Sequence, residues 1–416
     1  MSDHPELDPN YSDEIASRLL TILGDGPADL HDLVLKSEGA YPADVRDTLE
    51  KLRTLGKVKT SPGGIWIHPR TNGRAFRPRQ GSTNEPDRRK DDFFPEPHAL
   101  DYDWRFTEGT LGFLARYIMS LGAHHVAVFG APTLFKHLVD NGTAADLFDN
   151  NGEIIKRLRK AGYGKASECD LLRKFPDGKG FNCAVIDPPW YLEHYRAFIE
   201  AGRRLLAPKG KLLISMLPRL TRPQAAVDRE QVLTFASERG FELLAVDASS
   251  LHYSSPAFEV EALRGEGISL GDWRSADLYS FELTSRPVPE TNVRAADGTD
   301  PWATYQILSM VVKIKLENGK SDRPFEFKEV PGVADMRLRS VSRRSPARTH
   351  INLWTSRNLV AQVTRPDIVS KALGFLQSGV DVPEALARLK ADASLDPGES
   401  KTLERLLALL LNESQS

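Results

Sequence analysis

The chain has 416 residues, of which 40% are hydrophobic, and a formal net charge of −2 at pH 7. This length predicts two or three domains with real cores, and the near-zero charge excludes a protein that is basic over its whole surface. No run approaches the ~20 apolar residues of a membrane helix. Two cysteines, Cys169 and Cys183, are too few for a zinc knuckle or a disulfide framework, and no metal site is predicted. So few cysteines favour a reducing, cytoplasmic setting. The N-terminus is acidic and lacks the basic and then apolar residues of a secretory signal, which favours the same setting.

Residues 1–69 are predicted to form a small N-terminal domain. Apolar periodicity indicates helices near 15–23, 30–34 and 45–55, followed by a hairpin around 61–64. This order is similar to a winged helix-turn-helix, whose third helix often enters the major groove of DNA. That helix mixes basic and acidic side chains, so DNA contact and protein docking stay open as alternatives. The residues concerned are Arg46, Lys51, Arg53, Asp44, Asp47 and Glu50.

Residues 70–95 are predicted to be a basic linker, because their low apolar content argues against a fold of their own. Such a segment would add salt-sensitive affinity for phosphate groups. The alternative is a solvated spacer without a binding role. Its basic residues are Arg70, Arg74, Arg77, Arg79, Arg88, Arg89 and Lys90.

Residues 96–290 alternate apolar strands with helical segments, which is typical of an α/β sheet. Right-handed crossovers predict a doubly wound sheet with its ligand at the carboxyl ends of the strands. The predicted strands cover 125–129, 144–148, a short segment ending near 167–170, 181–186, 211–217, 241–247 and 276–283. The predicted helices cover 111–121, 134–141, 154–161, 192–206 and 231–239.

The fourth strand leads into Asp187, Pro188, Pro189 and Trp190. Prolines cannot donate to a sheet ladder, so the strand must end there. The turn offers the Asp187 carboxylate and the Pro188 carbonyl to the two hydrogens of an amine, and the Trp190 ring to a flat molecule that carries it. The alternative is that the acid and prolines merely end a strand and that Trp190 belongs to the core.

These four residues are similar to the catalytic motif of class I S-adenosylmethionine-dependent amino-methyltransferases with a DPPW motif. The wider run from Val126 to Trp190 resembles the N6-adenine methyltransferase family, some members of which methylate protein lysines. The resemblance covers the middle half of the chain. It implies a Rossmann-like methyltransferase sheet, S-adenosyl-L-methionine as cofactor, and DNA or RNA as partner, with protein as the other possible substrate.

Methyltransferases of this broad fold usually carry a Gly-x-Gly turn after the first strand, whereas Gly130 is followed here by Ala131, Pro132 and Thr133. The resemblance allows a Pro-Thr turn at this place, and its backbone at a helix N-terminus can face the methionine carboxylate of the cofactor. Asp149 is predicted to accept from the ribose hydroxyls, or else to cap its own turn. The other candidates for the cofactor pocket are Asp170, which could accept from the adenine amine, Phe106 and Thr107.

Residues 291–416 are predicted to form a C-terminal α+β accessory or oligomerisation domain, through which a homo-oligomer could form. Segments 305–316 and 349–363 are predicted strands, and 368–377, 383–390 and 400–411 are predicted helices. The last helix has an apolar face that favours a core or a dimer seam. Its members are Leu403, Leu406, Leu407, Leu410 and Leu411.

The sequence therefore predicts a cytoplasmic S-adenosylmethionine-dependent methyltransferase that acts on an exocyclic amine. The favoured acceptor is N6 of adenine in nucleic acid. The alternatives are transfer to a protein amine, either lysine or an N-terminus, and a non-catalytic binding protein that keeps the methyltransferase fold. Residues 217–219 and 254–258 are candidates for shaping the acceptor pocket. Arg219 and Arg222 could meet phosphate or be ordinary surface arginines.

Overall fold

The computed structural model describes residues 9–61, 64–69, 93–284, 302–316, 323–339, 341, 346–393 and 395–415. The predicted basic linker lies outside the described residues except for its last three positions, 93–95. The chain divides into two compact units. Unit 1 consists of Met1–Lys90, Trp104–Ser255 and Leu270–Ala296, and unit 2 consists of Asp91–Asp103, Pro256–Ser269 and Asp297–Ser416.

Unit 1 begins with three helices and an antiparallel hairpin. They are α1 (Pro9–Asp25), α2 (Leu30–Lys36), α3 (Pro42–Thr54), β1 (Lys59–Thr60) and β2 (Trp66–Ile67). The Asp29 side chain caps α2 by accepting from the Asp32 N–H at 2.7 Å, and Pro42 occupies the first turn of α3. The order of elements matches the prediction, while their identification as a winged helix stays a prediction.

The larger part of unit 1 is an eight-stranded sheet with its helices. The strands are β3 (Arg105–Phe106), β4 (His125–Phe129), β5 (Ala144–Asp149), β6 (Ala166–Glu168), β7 (Phe181–Ile186), β8 (Leu206–Met216), β9 (Phe241–Ser254) and β10 (Ser275–Leu283). The helices are α4 (Glu108–Ser120), α5 (Pro132–Asp140), α6 (Gly152–Lys160), α7 (Leu192–Leu205) and α8 (Ala225–Glu238).

The strand order is β3-β9-β10-β8-β7-β4-β5-β6, and the five strands from β8 to β6 run parallel. From β4 the chain first builds outward through β5 and β6, then returns to the other side of β4 through β7 and β8. The reversal falls between β4 and β7, where open α/β sheets hold their ligands. The α/β, doubly wound prediction is confirmed. Strand β10 inserts antiparallel between β8 and β9, so the sheet is mixed.

Two strands are longer than predicted by several residues. Strand β8 starts at Leu206 rather than at 211, with an irregularity between the pairs Phe181–Leu206 and Cys183–Lys211. Strand β9 continues to Ser254 instead of ending at 247 because it pairs with both β10 and β3.

Unit 2 holds a five-stranded antiparallel sheet with the order β11-β12-β14-β15-β13. Its strands are β11 (Trp302–Ile307), β12 (Met310–Lys315), β13 (Phe327–Lys328), β14 (Leu353–Thr355) and β15 (Val360–Val363). Its helices are α9 (Ala257–Gly265), α10 (Pro366–Gln377), α11 (Val382–Ala393), α12 (Pro397–Gln415) and two short 3-10 turns, Ala334–Met336 and Pro346–His350.

The predicted strands of unit 2 are each divided by a turn. Leu308, with a φ of +54°, separates β11 from β12, and Asn358, with a φ of +66°, separates β14 from β15. The apolar face of α12 packs into the core of the unit, with Leu403 and Leu410 fully buried. Of the two alternatives for this face, the structure shows the core.

Candidate functional site

The turn after β4 and the turn after β7 touch each other through their backbones. We call residues 130–133 the glycine turn and residues 187–190 the DPPW turn. Phe129 pairs with Ile186 across the parallel strands, and the Asp187 N–H donates to the Phe129 carbonyl at 3.0 Å. Gly130 has a φ of +69°, and a Cβ on it would lie 2.7 Å from the carbonyl oxygen of Asp187. Only glycine satisfies both the conformation and the close approach.

Helix α5 starts inside the glycine turn. Pro132 is buried and occupies its first turn, where the missing N–H costs nothing and the fixed φ favours helix. Thr133 follows it and is half-buried. The first backbone N–H groups of a helix have no partner within it and carry partial positive charge. The glycine turn can therefore present N–H groups to an anion such as a carboxylate.

Asp149 lies at the carboxyl end of β5, the strand next to β4. Its Oδ1 accepts from the Asn151 N–H at 2.8 Å, so it caps its own turn. The backbone carbonyl of Asp149 also accepts from the Cys169 N–H at 2.8 Å, which anchors the segment after β6. The side chain is half-buried, and its predicted use for the ribose hydroxyls stays a prediction.

Three further predicted cofactor residues have local partners. Asp170 accepts from the Leu172 N–H at 3.0 Å and forms an ion pair with Arg173 at 3.2 Å. Thr107 caps α4 by accepting from the Thr110 N–H at 3.3 Å. The buried Phe106 pairs with Tyr253 across β3 and β9, with ring centroids 4.9 Å apart. Phe106 therefore belongs to the surroundings of Asp187, which Tyr253 contacts.

Asp187 is held by a tyrosine that sequence reasoning missed. The Tyr253 hydroxyl donates to Oδ1 of Asp187 at 2.7 Å and lies 2.5 Å from Oγ of Ser215. Burial and the Asp187 carboxylate raise the pKa of Tyr253 well above its ordinary value, so the phenol stays protonated and donates. The only signal in the sequence was the position of Tyr253 beside residues 254–258, which were considered for the acceptor pocket.

A second buried tyrosine supports the same region. The Tyr195 hydroxyl donates to the Ser215 carbonyl at 3.0 Å and accepts from the Leu217 N–H at 2.9 Å. Burial raises the pKa of Tyr195. Helix α7 and the end of β8 are thereby fixed beneath the DPPW turn.

Trp190 is half-buried and makes two contacts through its ring. It meets Tyr253 edge-on, with centroids 6.0 Å apart. The Arg274 guanidinium lies 5.3 Å from the Trp190 ring, 5.1 Å from Trp104 and 4.7 Å from Trp273. An arginine among three indoles is a cation–π arrangement that orients each ring. Arg274 was not predicted from the sequence.

The predicted phosphate contacts after β8 are engaged within the protein. Arg222 pairs with Asp228 at 2.7 Å and lies 5.5 Å from the Tyr191 ring. The exposed Arg219 reaches Glu14 at 3.4 Å. The arginine that stabilises this region is Arg229, which donates to the Leu217 carbonyl at 2.6 Å and pairs with Asp277 at 2.7 Å.

Two features are absent from the described residues. No three histidine, cysteine, aspartate or glutamate side chains among them are grouped to hold a metal ion. Within the same part of the chain, no helix has both the length and the apolar character to cross a membrane. The groups that the site offers are one carboxylate, backbone carbonyls and an indole, beside a turn suited to an anionic group.

No family model and no curated protein matches this sequence. Among solved structures, the branched-chain polyamine synthase from Thermus thermophilus is similar at 15% identity, with a TM-score of 0.52, over 69% of this chain and 91% of its own. Its C9 mutein aligns with the same score over 90% of its own chain. Both were crystallised with N4-aminopropylspermidine and 5'-methylthioadenosine.

The N-methyltransferase NodS from Bradyrhizobium japonicum aligns over 42% of this chain and 94% of its own at 19% identity, with a TM-score of only 0.31. At such identities a structural likeness bears on the fold alone. The match to the polyamine synthase extends over most of both chains. Together with the strand order, it shows that this chain has a Rossmann-like α/β fold.

Proposed function

We propose that this protein is an S-adenosylmethionine-dependent methyltransferase that acts on an exocyclic amine. The observation that most supports the proposal is the contact between the glycine turn and the DPPW turn. A Cβ at Gly130 would lie 2.7 Å from the Asp187 carbonyl oxygen, so the two turns are immediate neighbours. A donor held at one turn and an amine held at the other would meet at short range, which is what a displacement reaction needs.

The residues present fit the cofactor. The N–H groups of the glycine turn would face the methionine carboxylate, and Asp149 would accept from the ribose hydroxyls. Asp170, in the segment after β6, is the candidate for the adenine amine. When bound, S-adenosyl-L-methionine supplies an electrophilic methyl group on a sulfonium. Pro132 stands where such turns usually carry a second glycine, and a non-catalytic binding protein that keeps the fold stays the alternative.

The residues of the DPPW turn act on the acceptor. The Asp187 carboxylate and the Pro188 carbonyl accept the two amine hydrogens, which makes the nitrogen lone pair available for attack. Tyr253 fixes the carboxylate through its 2.7 Å hydrogen bond, and Trp190 stacks on a flat acceptor. Pro189 keeps the turn rigid. Asp187 is also placed to take the proton that the nitrogen loses.

Adenine N6 in DNA or RNA is the first acceptor that we propose. The lone pair of an aromatic amine is delocalised, so the amine needs the two hydrogen-bond acceptors of the DPPW turn. Its flat ring can stack on the indole of Trp190. A protein amine, either lysine or an N-terminus, stays the alternative. Two basic side chains of α3 are paired with acidic neighbours, Arg46 with Asp47 at 2.8 Å and Arg53 with Glu50 at 2.6 Å. This pairing weakens the case for DNA contact by the helix.

A second candidate is aminopropyl transfer to a polyamine. It is favoured by the structural likeness to the polyamine synthase, which covers 69% of this chain. Asp187 could accept from an alkylamine as well as from an aromatic one, and an alkylammonium could lie against the Trp190 ring. The two reactions differ in the donor, because aminopropyl transfer uses the decarboxylated form of the cofactor.

The test is one set of labelled incubations. Full-length protein is mixed with methyl-labelled S-adenosylmethionine and, separately, with DNA, RNA, cell protein or spermidine. A parallel series uses decarboxylated S-adenosylmethionine, and Asp187→Ala is the paired variant. We expect label in N6-methyladenine, abolished in Asp187→Ala while cofactor binding persists. Label in protein alone would contradict the nucleic-acid acceptor. Product only in the series with decarboxylated S-adenosylmethionine would identify an aminopropyltransferase. Full activity of Asp187→Ala would refute the role proposed for Asp187.

A further inference from the structure

The N-terminal helices contact the loop between β8 and α8, residues 217–224. The buried Tyr11 hydroxyl donates to the Leu220 carbonyl at 2.8 Å, and the Leu220 N–H donates to the Glu38 carbonyl at 2.8 Å. These bonds satisfy both backbone groups of Leu220, whose side chain is also buried. The loop is thus tied to α1 and to the turn after α2. Arg222 of this loop lies 5.5 Å from the ring of Tyr191, which directly follows the DPPW turn, so the loop borders the candidate site.

The turn after α2 fits tightly against this loop. Gly39 has a φ of +86°, and a Cβ on it would lie 2.7 Å from Cβ of Pro218 and 2.8 Å from Oγ1 of Thr221. Real side-chain contacts do not occur at such distances, so any other residue would push the helices away from the loop. The close fit is typical of a built interface within one folded unit.

A second contact connects the N-terminal helices with the DPPW turn. The Tyr41 ring meets Trp273 edge-on, with centroids 5.8 Å apart, and Trp273 is 3% exposed. The Arg274 guanidinium lies 4.7 Å from Trp273 and 5.3 Å from Trp190. A continuous series of ring and cation–π contacts therefore runs from Tyr41 to the indole that would hold the acceptor.

This arrangement also faces the start of α3 towards the sheet. In helix-turn-helix proteins the first residues of the recognition helix contact base edges. Here Tyr41 is the N-cap of α3 and packs on Trp273, and Pro42 is buried. The end of α3 that would read DNA is thus occupied inside the protein.

We propose that the N-terminal helices form a wall of the acceptor pocket and position Trp190, so that they set which acceptor is used instead of binding DNA through α3. The acceptor role of the DPPW turn is taken from the proposed function. The contacts of Tyr41, Gly39 and Tyr11 support the position of the N-terminal helices independently of that function.

The test uses three variants of the full chain. Tyr41→Ala removes the ring on Trp273, Tyr41→Phe keeps it, and Leu55→Ala alters an exposed side chain at the far end of α3. Hydrogen exchange is measured first. We expect faster exchange of the Leu220 amide and of residues 270–276 in Tyr41→Ala, and wild-type exchange in the other two. Gly39→Ala, which acts through Pro218, should give the same pattern at residues 217–224 if Tyr41→Ala does not fold.

Kinetics follow, with an adenine-containing oligonucleotide as acceptor, or spermidine if that is the substrate. We expect the acceptor KM of Tyr41→Ala to rise about 2- to 10-fold, the value of one aromatic contact, with unchanged calorimetric affinity for S-adenosylmethionine. Unchanged hydrogen exchange and unchanged KM in Tyr41→Ala and Gly39→Ala would overturn the proposal. An equal increase of exchange and KM in Leu55→Ala would overturn it as well. An inactive wild-type protein would refute the proposed function. Hydrogen exchange needs no turnover, so it would still decide whether the N-terminal helices hold the loop and Trp273 in place.

Discussion

The hydroxyl of Tyr253 donates a hydrogen bond of 2.7 Å to Oδ1 of Asp187, across 66 positions of sequence. Tyr253 lies near the end of the antiparallel strand β9, whereas Asp187 follows the parallel strand β7. The bond joins the two halves of the mixed sheet at the candidate site. It orders the carboxylate before any ligand arrives, which lowers the entropic cost of reaching a reactive geometry.

Tyr253→Phe removes this bond and keeps the ring against Trp190 and Phe106. We expect kcat to fall about 10- to 100-fold, as for a lost hydrogen bond to a charged group, with unchanged affinity for S-adenosylmethionine.

The matched control for that variant is Tyr163→Phe. Tyr163 donates to Oδ1 of Asp140 at 2.6 Å, so the same type of bond is lost at an exposed position. Steady-state kinetics of both variants provide the measurement. An equal decrease of kcat in Tyr253→Phe and Tyr163→Phe would contradict the positioning role.

Gly130→Ala tests the contact between the two turns. Alanine at a φ of +69° is strained, and its Cβ would in addition lie 2.7 Å from the Asp187 carbonyl oxygen. Gly122 has the same φ of +69° with nothing within 4 Å, so Gly122→Ala carries the strain alone, about 1–2 kcal/mol. We expect Gly130→Ala to be the less stable variant in denaturant unfolding and to bind S-adenosylmethionine more weakly than Gly122→Ala. Equal behaviour of the two would show that the contact is unimportant.

Asp149→Asn separates the two roles predicted for Asp149. The amide oxygen of asparagine can still accept from the Asn151 N–H, so the turn and the unfolding temperature should be kept. The lost charge should weaken S-adenosylmethionine binding about 10-fold or more if the side chain holds the ribose. Calorimetric titration gives the affinity, with Asp146→Asn on the same strand as control. Wild-type affinity in Asp149→Asn would leave Asp149 with its capping role alone.

A buried histidine predicts acid sensitivity of unit 2. Nε2 of His98 lies 3.0 Å from the Trp354 carbonyl and Nδ1 accepts from the Leu100 N–H, so the neutral ring is satisfied on both sides. Burial, followed by the charge of Lys313, lowers the pKa of His98 to about 3 from 6.5. Below pH 6.5 the unfolded chain binds a proton that the folded chain does not, so stability falls as the pH decreases towards 3.

The expected slope is about 1.4 kcal/mol per pH unit from this one group. Chemical unfolding of unit 2, followed between pH 7 and 4, should show a smaller slope in His98→Gln than in the wild type. The exposed His124 provides the control variant, His124→Gln. A slope that is the same in all three proteins would exclude His98 as its source.

The parallel part of the sheet followed from the sequence because its signals are local. Strand β4 matches its prediction at both ends, and β7 ends where Pro188 forces it to end. Adjacent parallel strands then bring Gly130 and Asp187 to one edge. These elements needed only apolar runs, prolines and the crossover rule.

The partners of Asp187 could not be predicted in the same way. Tyr253 reaches it because β9 extends past 247 and pairs with both β10 and β3, a register set by distant strands. Trp273 and Arg274 directly precede β10, and only the antiparallel insertion of that strand places Arg274 beside Trp190. Long-range pairing decides such contacts, and hydrophobic periodicity carries no information on it.

The glycine turn has a consequence for how proteins of this type can be found. Gly130 provides the left-handed backbone and the close approach to the Asp187 carbonyl, while Pro132 starts the helix that a second glycine usually precedes. In the proposed cofactor turn, two different residue types thus share the task of one motif. A pattern that demands two glycines would pass over every chain built this way, whereas one that pairs a single glycine and a helix-starting proline with a downstream Asp-Pro-Pro-Trp would retain them.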